Sequence, residues 1–153
     1  MDTRARILCV GYDEILLQSR KDMLSNFFEA ETVLGLKRLP AICSFDLIVL
    51  CHTLTAEECR YVCDLVRGQS PRPQILALKQ AMSPPLGELV DKEFFVGEGP
   101  YKLLKTVEKM LAGMARGVGG SGKAFGSRSQ TNWPAIDFGR GPYWTGSRRS
   151  SPC

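Results

Sequence analysis

The chain has a single histidine, and it follows a cysteine: Cys51-His52 ends the most apolar run in the sequence, Leu47-Ile48-Val49-Leu50. An imidazole beside a thiol lowers the thiol pKa and makes a nucleophile or a redox sensor. Neighbouring residues of a strand, however, point to opposite faces. The expectation is therefore a strand-end thiol and an exposed histidine. Cys59 and Cys63 face the same way on a helix and would need Cys51 and His52 to complete a zinc site. They lie instead on an apolar stripe with Val62 and Val66, and the tight knuckle spacing of structural zinc sites is absent. Gly117-Val118-Gly119-Gly120-Ser121-Gly122-Lys123 has the composition of a phosphate loop. No apolar strand precedes it, and Ala124 stands where a Ser or Thr would ligate Mg²⁺. These patterns support neither an enzyme nor a bound metal or cofactor.

The elements that would position such residues are legible from periodicity. Ile7-Leu8-Cys9-Val10 is a buried-strand run ended by Gly11. Asp13 is placed to cap a helix over about 14–28, whose apolar positions Leu16/Leu17, Met23/Leu24 and Phe27/Phe28 recur at helical spacing. Thr32-Val33-Leu34 is a second strand, and the stretch from Gly35 to Ser44, broken by Pro40, is too short for a long helix. Leu47–Leu50 is the third strand, apolar throughout as a central parallel strand is. Thr55-Ala56-Glu57-Glu58 is a capping box, with Thr55 as N-cap and Glu58 three residues on. Ile75-Leu76-Ala77-Leu78 makes a fourth strand, and Ser83-Pro84-Pro85 opens a short helix. Phe94-Phe95-Val96 is the fifth strand. Pro100 opens a last helix with the face Leu103, Val107, Met110, Leu111 and Met114.

Strands alternating with helices predict an α/β fold with an open parallel sheet covered on both faces. A chain of 153 residues holds one ordinary domain. Residues 1–112 carry a net charge of −1, whereas residues 113–153 carry +5 and nine of the fifteen glycines. That second segment, rich in Gly, Ser and Arg, buries too little apolar surface to offset its ordering entropy, and it is expected to be a disordered tail. Its arginines and dispersed aromatics, Trp133, Phe138, Tyr143 and Trp144, offer a nucleic-acid contact. The charge is thin over 41 residues, so nucleic acid is not the expected partner. The apolar runs are too short to cross a bilayer, and the N-terminus does not read as a secretory signal. The expected compartment is the cytoplasm. Five of the six cysteines (Cys9, Cys43, Cys51, Cys59, Cys63) fall in apolar, periodic segments and are expected to be reduced structural thiols.

In an open α/β sheet the ligand site lies beyond the carboxyl ends of the strands where their order reverses. Here that means Gly11-Tyr12-Asp13 and Cys51-His52. The run Ile7–Val10 with its following acidic turn, then Phe45-Asp46-Leu47-Ile48-Val49-Leu50 and Ile75–Leu78, resembles the receiver domain of bacterial response regulators over roughly residues 4–112. The resemblance implies a flavodoxin-like three-layer sandwich with a five-stranded parallel sheet. It also implies a place in two-component phosphorelay signalling. Receivers hold Mg²⁺ with an acidic pair after the first strand, and the matching residues are Gly11 and Tyr12, with Asp13 just beyond. Their phosphoacceptor aspartate falls on Cys51, their Ser/Thr on Lys79, and their Lys-Pro after the fifth strand on Gly97-Glu98. Every chemical position departs from the pattern while the hydrophobic frame remains. Mg²⁺ takes hard oxygen ligands, and phosphoryl transfer relies on electrostatic compensation. The expectation is a pseudo-receiver that is not phosphorylated and acts by protein interaction. Receivers pair through the face made by their fourth helix, fifth strand and fifth helix. The resemblance therefore implies a homodimer or a signalling partner on the face Pro84–Leu111. The alternatives are a receiver phosphorylated elsewhere, at Asp13 or Asp46, and a nucleic-acid adaptor acting through the tail. Lys79 is expected to be a surface lysine, the alternative being that it sets a positive charge near Asp13.

Overall fold

The computed structural model describes residues 4–119. Its five strands are β1 (Arg6–Gly11), β2 (Glu29–Leu34), β3 (Leu47–Leu50), β4 (Gln74–Lys79) and β5 (Lys92–Phe95). All pair in parallel in the order β2-β1-β3-β4-β5. The order reverses at β1, so β1 and β3 flank the switch point. Of the three α-helices, α1 (Glu14–Ser25) and α2 (Ala56–Arg67) connect strands, and α3 (Pro100–Gly119) follows β5. The chain is thus the expected flavodoxin-like sandwich.

Each central strand feeds two cores by alternation. Ile7 and Cys9 of β1, Leu47 and Val49 of β3, and Leu76 and Leu78 of β4 pack beneath α1 and α3. Leu8, Val10, Ile48, Leu50, Ile75 and Ala77 face the other way, against α2. A parallel sheet has no face left for water, so both side-chain sets must be apolar. The α2 side has one α-helix only, whose stripe Cys59, Val62, Cys63 and Val66 is buried. Loop residues complete that layer, including Ile42, Phe45, Leu54 and Val90.

Both crossovers that lack an α-helix contain a single 3₁₀ turn, Ile42–Ser44 after β2 and Gly87–Leu89 after β4. The first agrees with the short, proline-broken sequence there. The second corrects the expectation of a short helix opening at Ser83-Pro84-Pro85: each proline disfavours the helical region for the residue before it, and Gly87 stands at φ of 58°. Two strand boundaries also move. β2 begins earlier, at Glu29, because Phe27 and Phe28 leave α1 after Ser25 and pack on the core as partly buried side chains. β5 ends at Phe95, and Val96–Glu98 turn as a 3₁₀ helix instead of extending the strand.

Cys9, Cys51, Cys59 and Cys63 are buried free thiols, whereas Cys43 lies exposed in the first 3₁₀ turn and not in an apolar face as expected. The last helix runs to Gly119, and the tail beyond it lies outside the described residues. Among the described residues no helix is long and apolar enough to cross a membrane.

Candidate functional site

The register that sets Val10 beside Leu50 brings the next residues, Gly11 and Cys51, together at the carboxyl ends of β1 and β3. Glycine is required there by close approach. A Cβ on Gly11 would lie 2.8 Å from Cys51 Cβ and 3.0 Å from Thr53 Oγ1. The Cys51 thiol accepts a hydrogen bond from Arg20 Nη1 of α1 at 3.0 Å, and Arg20 Nη2 lies 3.5 Å from His52 Nδ1. Cys51 and His52 therefore share one partner, and His52 is half-buried instead of exposed as expected. Both lie past the last residue of β3, where strand alternation no longer separates them.

Burial pushes the Cys51 thiol above its ordinary pKa, outweighing the nearby guanidinium. Partial burial, and then Arg20, hold His52 below its ordinary value despite Asp13. The pair is thus a neutral thiol beside a neutral imidazole at neutral pH, not a thiolate–imidazolium pair. Asp13 is committed to the N-cap of α1, its Oδ1 accepting from the Leu16 N–H at 3.0 Å.

Tyr12 ties three loops together. Its N–H donates to Thr53 Oγ1 at 2.9 Å, and its hydroxyl donates to Glu58 Oε1 at 2.5 Å. Its ring covers Gly35, which has φ of 76° and no side chain to obstruct it. The other Glu58 oxygen accepts from the Thr55 N–H at 2.8 Å, completing the capping box expected at the start of α2. The Tyr12 hydroxyl, then the Thr55 backbone, hold the Glu58 carboxyl below its ordinary pKa. A depressed carboxylate contributes stability above its unfolded pKa and loses it as pH falls through the folded value. Glu58→Gln is expected to flatten the fall in urea midpoint between about pH 5 and pH 3, the carboxylate range. An unchanged acid limb would remove Glu58 from the acid response. The effect is small because this carboxylate is largely solvent-exposed.

On the opposite side of the site, Lys79 at the end of β4 pairs with Glu93 Oε1 of β5 at 3.1 Å. The alternative that it faces Asp13 is corrected: the neighbouring strand supplies a nearer carboxylate. Only 13% of its side chain is exposed, so it is not an ordinary surface lysine either. The same Glu93 oxygen accepts from the Leu86 N–H. Burial raises the Glu93 pKa, but the Leu86 N–H and Lys79 outweigh it and leave the carboxyl low. Gly97 lies in the turn after β5, where a Cβ would overlap the Phe95 ring, and Glu98 pairs with Lys102 at 3.4 Å. Neither of those two residues lines the cavity at Cys51. A cavity of about 160 Å³ remains, bounded by Cys51, His52, Cys59, Lys79, Ser83 and Pro84.

The residues at this site do not fit Mg²⁺. Gly11 offers no ligand, Cys51 is a soft neutral thiol, and Asp13 is occupied as a cap. Among the described residues no cluster of His, Cys, Asp and Glu is arranged to hold a metal. Three participants were absent from the sequence reading: Arg20, Thr53 and the Tyr12–Glu58 pair. Helical spacing aligns Arg20 with Leu16 and Met23 on α1, but nothing local shows that its guanidinium reaches β3.

A five-stranded parallel sheet in this order, with its site beyond β1 and β3, has close counterparts of known structure. The fold is that of a receiver domain. The beryllofluoride-activated receiver domain of DrrB matches at a TM-score of 0.55 and 21% identity, over 71% of this chain and 97% of that one. DrrB comes from Thermotoga maritima. The chemotaxis response regulator CheY4 of Vibrio cholerae matches at 0.54 and 22%, over 71% and 99%. A pilus assembly-related protein of Burkholderia pseudomallei matches at 0.61 and 15%, over 73% and 92%. No family model and no curated protein matches the sequence. At these identities the receiver likeness is one of fold.

Proposed function

We propose that this chain is a non-phosphorylatable pseudo-receiver, a non-enzymatic protein-interaction module of a cytoplasmic signalling pathway. One observation carries the reading: at the switch point of a receiver fold, Gly11 and Cys51 close on each other and Arg20 caps the thiol. Receivers would need carboxylates and a cation there. The alternative acceptors fit poorly. Asp46 accepts from the Arg6 N–H at the amino end of β3, the wrong end, and Asp13 is a helix cap. The nucleic-acid alternative depends on the tail, which lies outside the described residues.

The partner face in this reading is Pro84–Leu111. The edge strand β5 flanks a charged groove of about 390 Å³ lined by Lys92, Glu93, Glu98, Lys102, Lys105 and Lys109. The interaction module includes the whole of α3, so it extends past the expected boundary at residue 112 to Gly119.

The test is the amide NMR spectrum of the full chain with and without Mg²⁺ plus beryllofluoride, a phosphoryl mimic. The expected result is no site-specific change at Asp13, Cys51 or Lys79. Saturable shifts at those three amides would restore a phospho-switch and sink the pseudo-receiver reading.

A further inference from the structure

A second cavity, of about 210 Å³, shares no lining residue with the Cys51–Lys79 cleft and lies between the middle of α1 and the first turn of α3. Leu16, Met23, Phe94, Pro100 and Leu103 give it apolar walls, and Arg20 is its only charged lining residue. Arg20 is half-buried, and its hydrogen-bond partners are a neutral thiol and an imidazole nitrogen. No carboxylate among the described residues forms an ion pair with it. A guanidinium carries five donors in a planar fork matched to carboxylate geometry. Leaving that charge partly desolvated without an anion is costly. Apolar walls around one uncompensated cation describe an amphipathic anion. The volume is below the roughly 300–1,000 Å³ of sites for drug-sized ligands, so the occupant is small.

We propose that this cavity binds a small organic carboxylate with an apolar or aromatic body. The carboxylate meets the Arg20 guanidinium, and the body lies against Leu16, Met23, Phe94 and Leu103. Because Arg20 also contacts Cys51 and His52, an occupant changes the environment of the residues at the switch point. The proposal does not depend on whether the chain is phosphorylated.

The probe pair is phenylacetate and phenylacetamide, which share a shape and differ in charge. Each is titrated into the full-length chain and followed by amide NMR. Phenylacetate is expected to shift Leu16, Arg20, Val96, Leu103 and His52 saturably, with Kd on the order of 1 mM for so few atoms. Phenylacetamide is expected to bind at least about tenfold more weakly, the cost of losing a charged hydrogen bond. Arg20→Gln should remove that preference. The comparison of the two probes in the unaltered chain needs no variant and survives misfolding of Arg20→Gln. Equal affinity for acid and amide would overturn the proposal, as would shifts confined to the groove at Lys102, Lys105 and Lys109, or no saturable shift at all.

Discussion

Replacing Gly11 with aspartate, the residue type receivers use to hold their metal, is expected to destabilise this fold by about 3 kcal/mol or more. Two costs combine. The new Cβ would sit 2.8 Å from Cys51 Cβ, an atom one bond from the backbone that no rotamer can move away. The carboxylate would then be desolvated beside a buried thiol and the Thr53 hydroxyl, a cost that the Arg20 guanidinium on that thiol offsets only in part. Gly11→Ala isolates the steric part and should cost about 1–3 kcal/mol, the usual penalty for overpacking. Pairing Gly11→Ala with Cys51→Gly removes the opposing Cβ and should recover much of the loss, a coupling expected only between residues in contact. Urea unfolding of the three variants reads these values. A Gly11→Asp protein as stable as the parent, and stabilised further by Mg²⁺, would show that the two strand ends separate readily enough to rebuild a metal site.

What the sequence revealed of this fold follows the range of the forces involved. Leu47–Leu50 is the third strand to the residue, because a run buried on both faces has only one way to be satisfied. The capping box at Thr55 and Glu58 was equally legible, since both partners lie within one helical turn. Boundaries set by tertiary packing were less so. Phe27 and Phe28 keep helical spacing with Met23 and Leu24, yet they leave α1 to pack on the core while β2 starts at Glu29. At the site, backbone position was predictable and side-chain partnership was not. The switch point did fall at Gly11 and Cys51. The reach of Arg20 from α1 to β3 spans 31 residues of sequence and that of Tyr12 to Glu58 spans 46, with no local pattern to mark either. Lys79 illustrates the same limit: the sequence placed it on the correct strand end, but its partner came from β5 and not from the turn after β1.

Thiol labelling should divide the five described cysteines sharply, with Cys43 modified at least about a thousandfold faster than Cys9, Cys51, Cys59 and Cys63. Two factors multiply. The thiolate is the reacting species, and burial pushes Cys59 up to about 11, so at pH 8 about one molecule in a thousand carries it ionised. Burial is also the largest influence raising Cys9, Cys51 and Cys63. Access is the second factor, because a reagent reaches these side chains only when the surrounding core opens. Cys43 lies exposed in the turn between β2 and β3, where a reagent reaches it without any opening of the core. Peptide mapping after brief alkylation separates its signal from that of Cys153, and denaturant should bring the four slow thiols to a common rate. Cys51 is the informative one. Arg20 donates to its sulfur and favours the thiolate, the arrangement a reactive cysteine uses. Burial opposes that and prevails. If Cys51 were labelled as fast as Cys43, the guanidinium would have won, and the strand end that receivers use for phosphate would be a redox-active thiol here. Slow labelling in step with Cys9 would leave Cys51 as what its surroundings describe: a core residue packed at the end of β3 against Gly11.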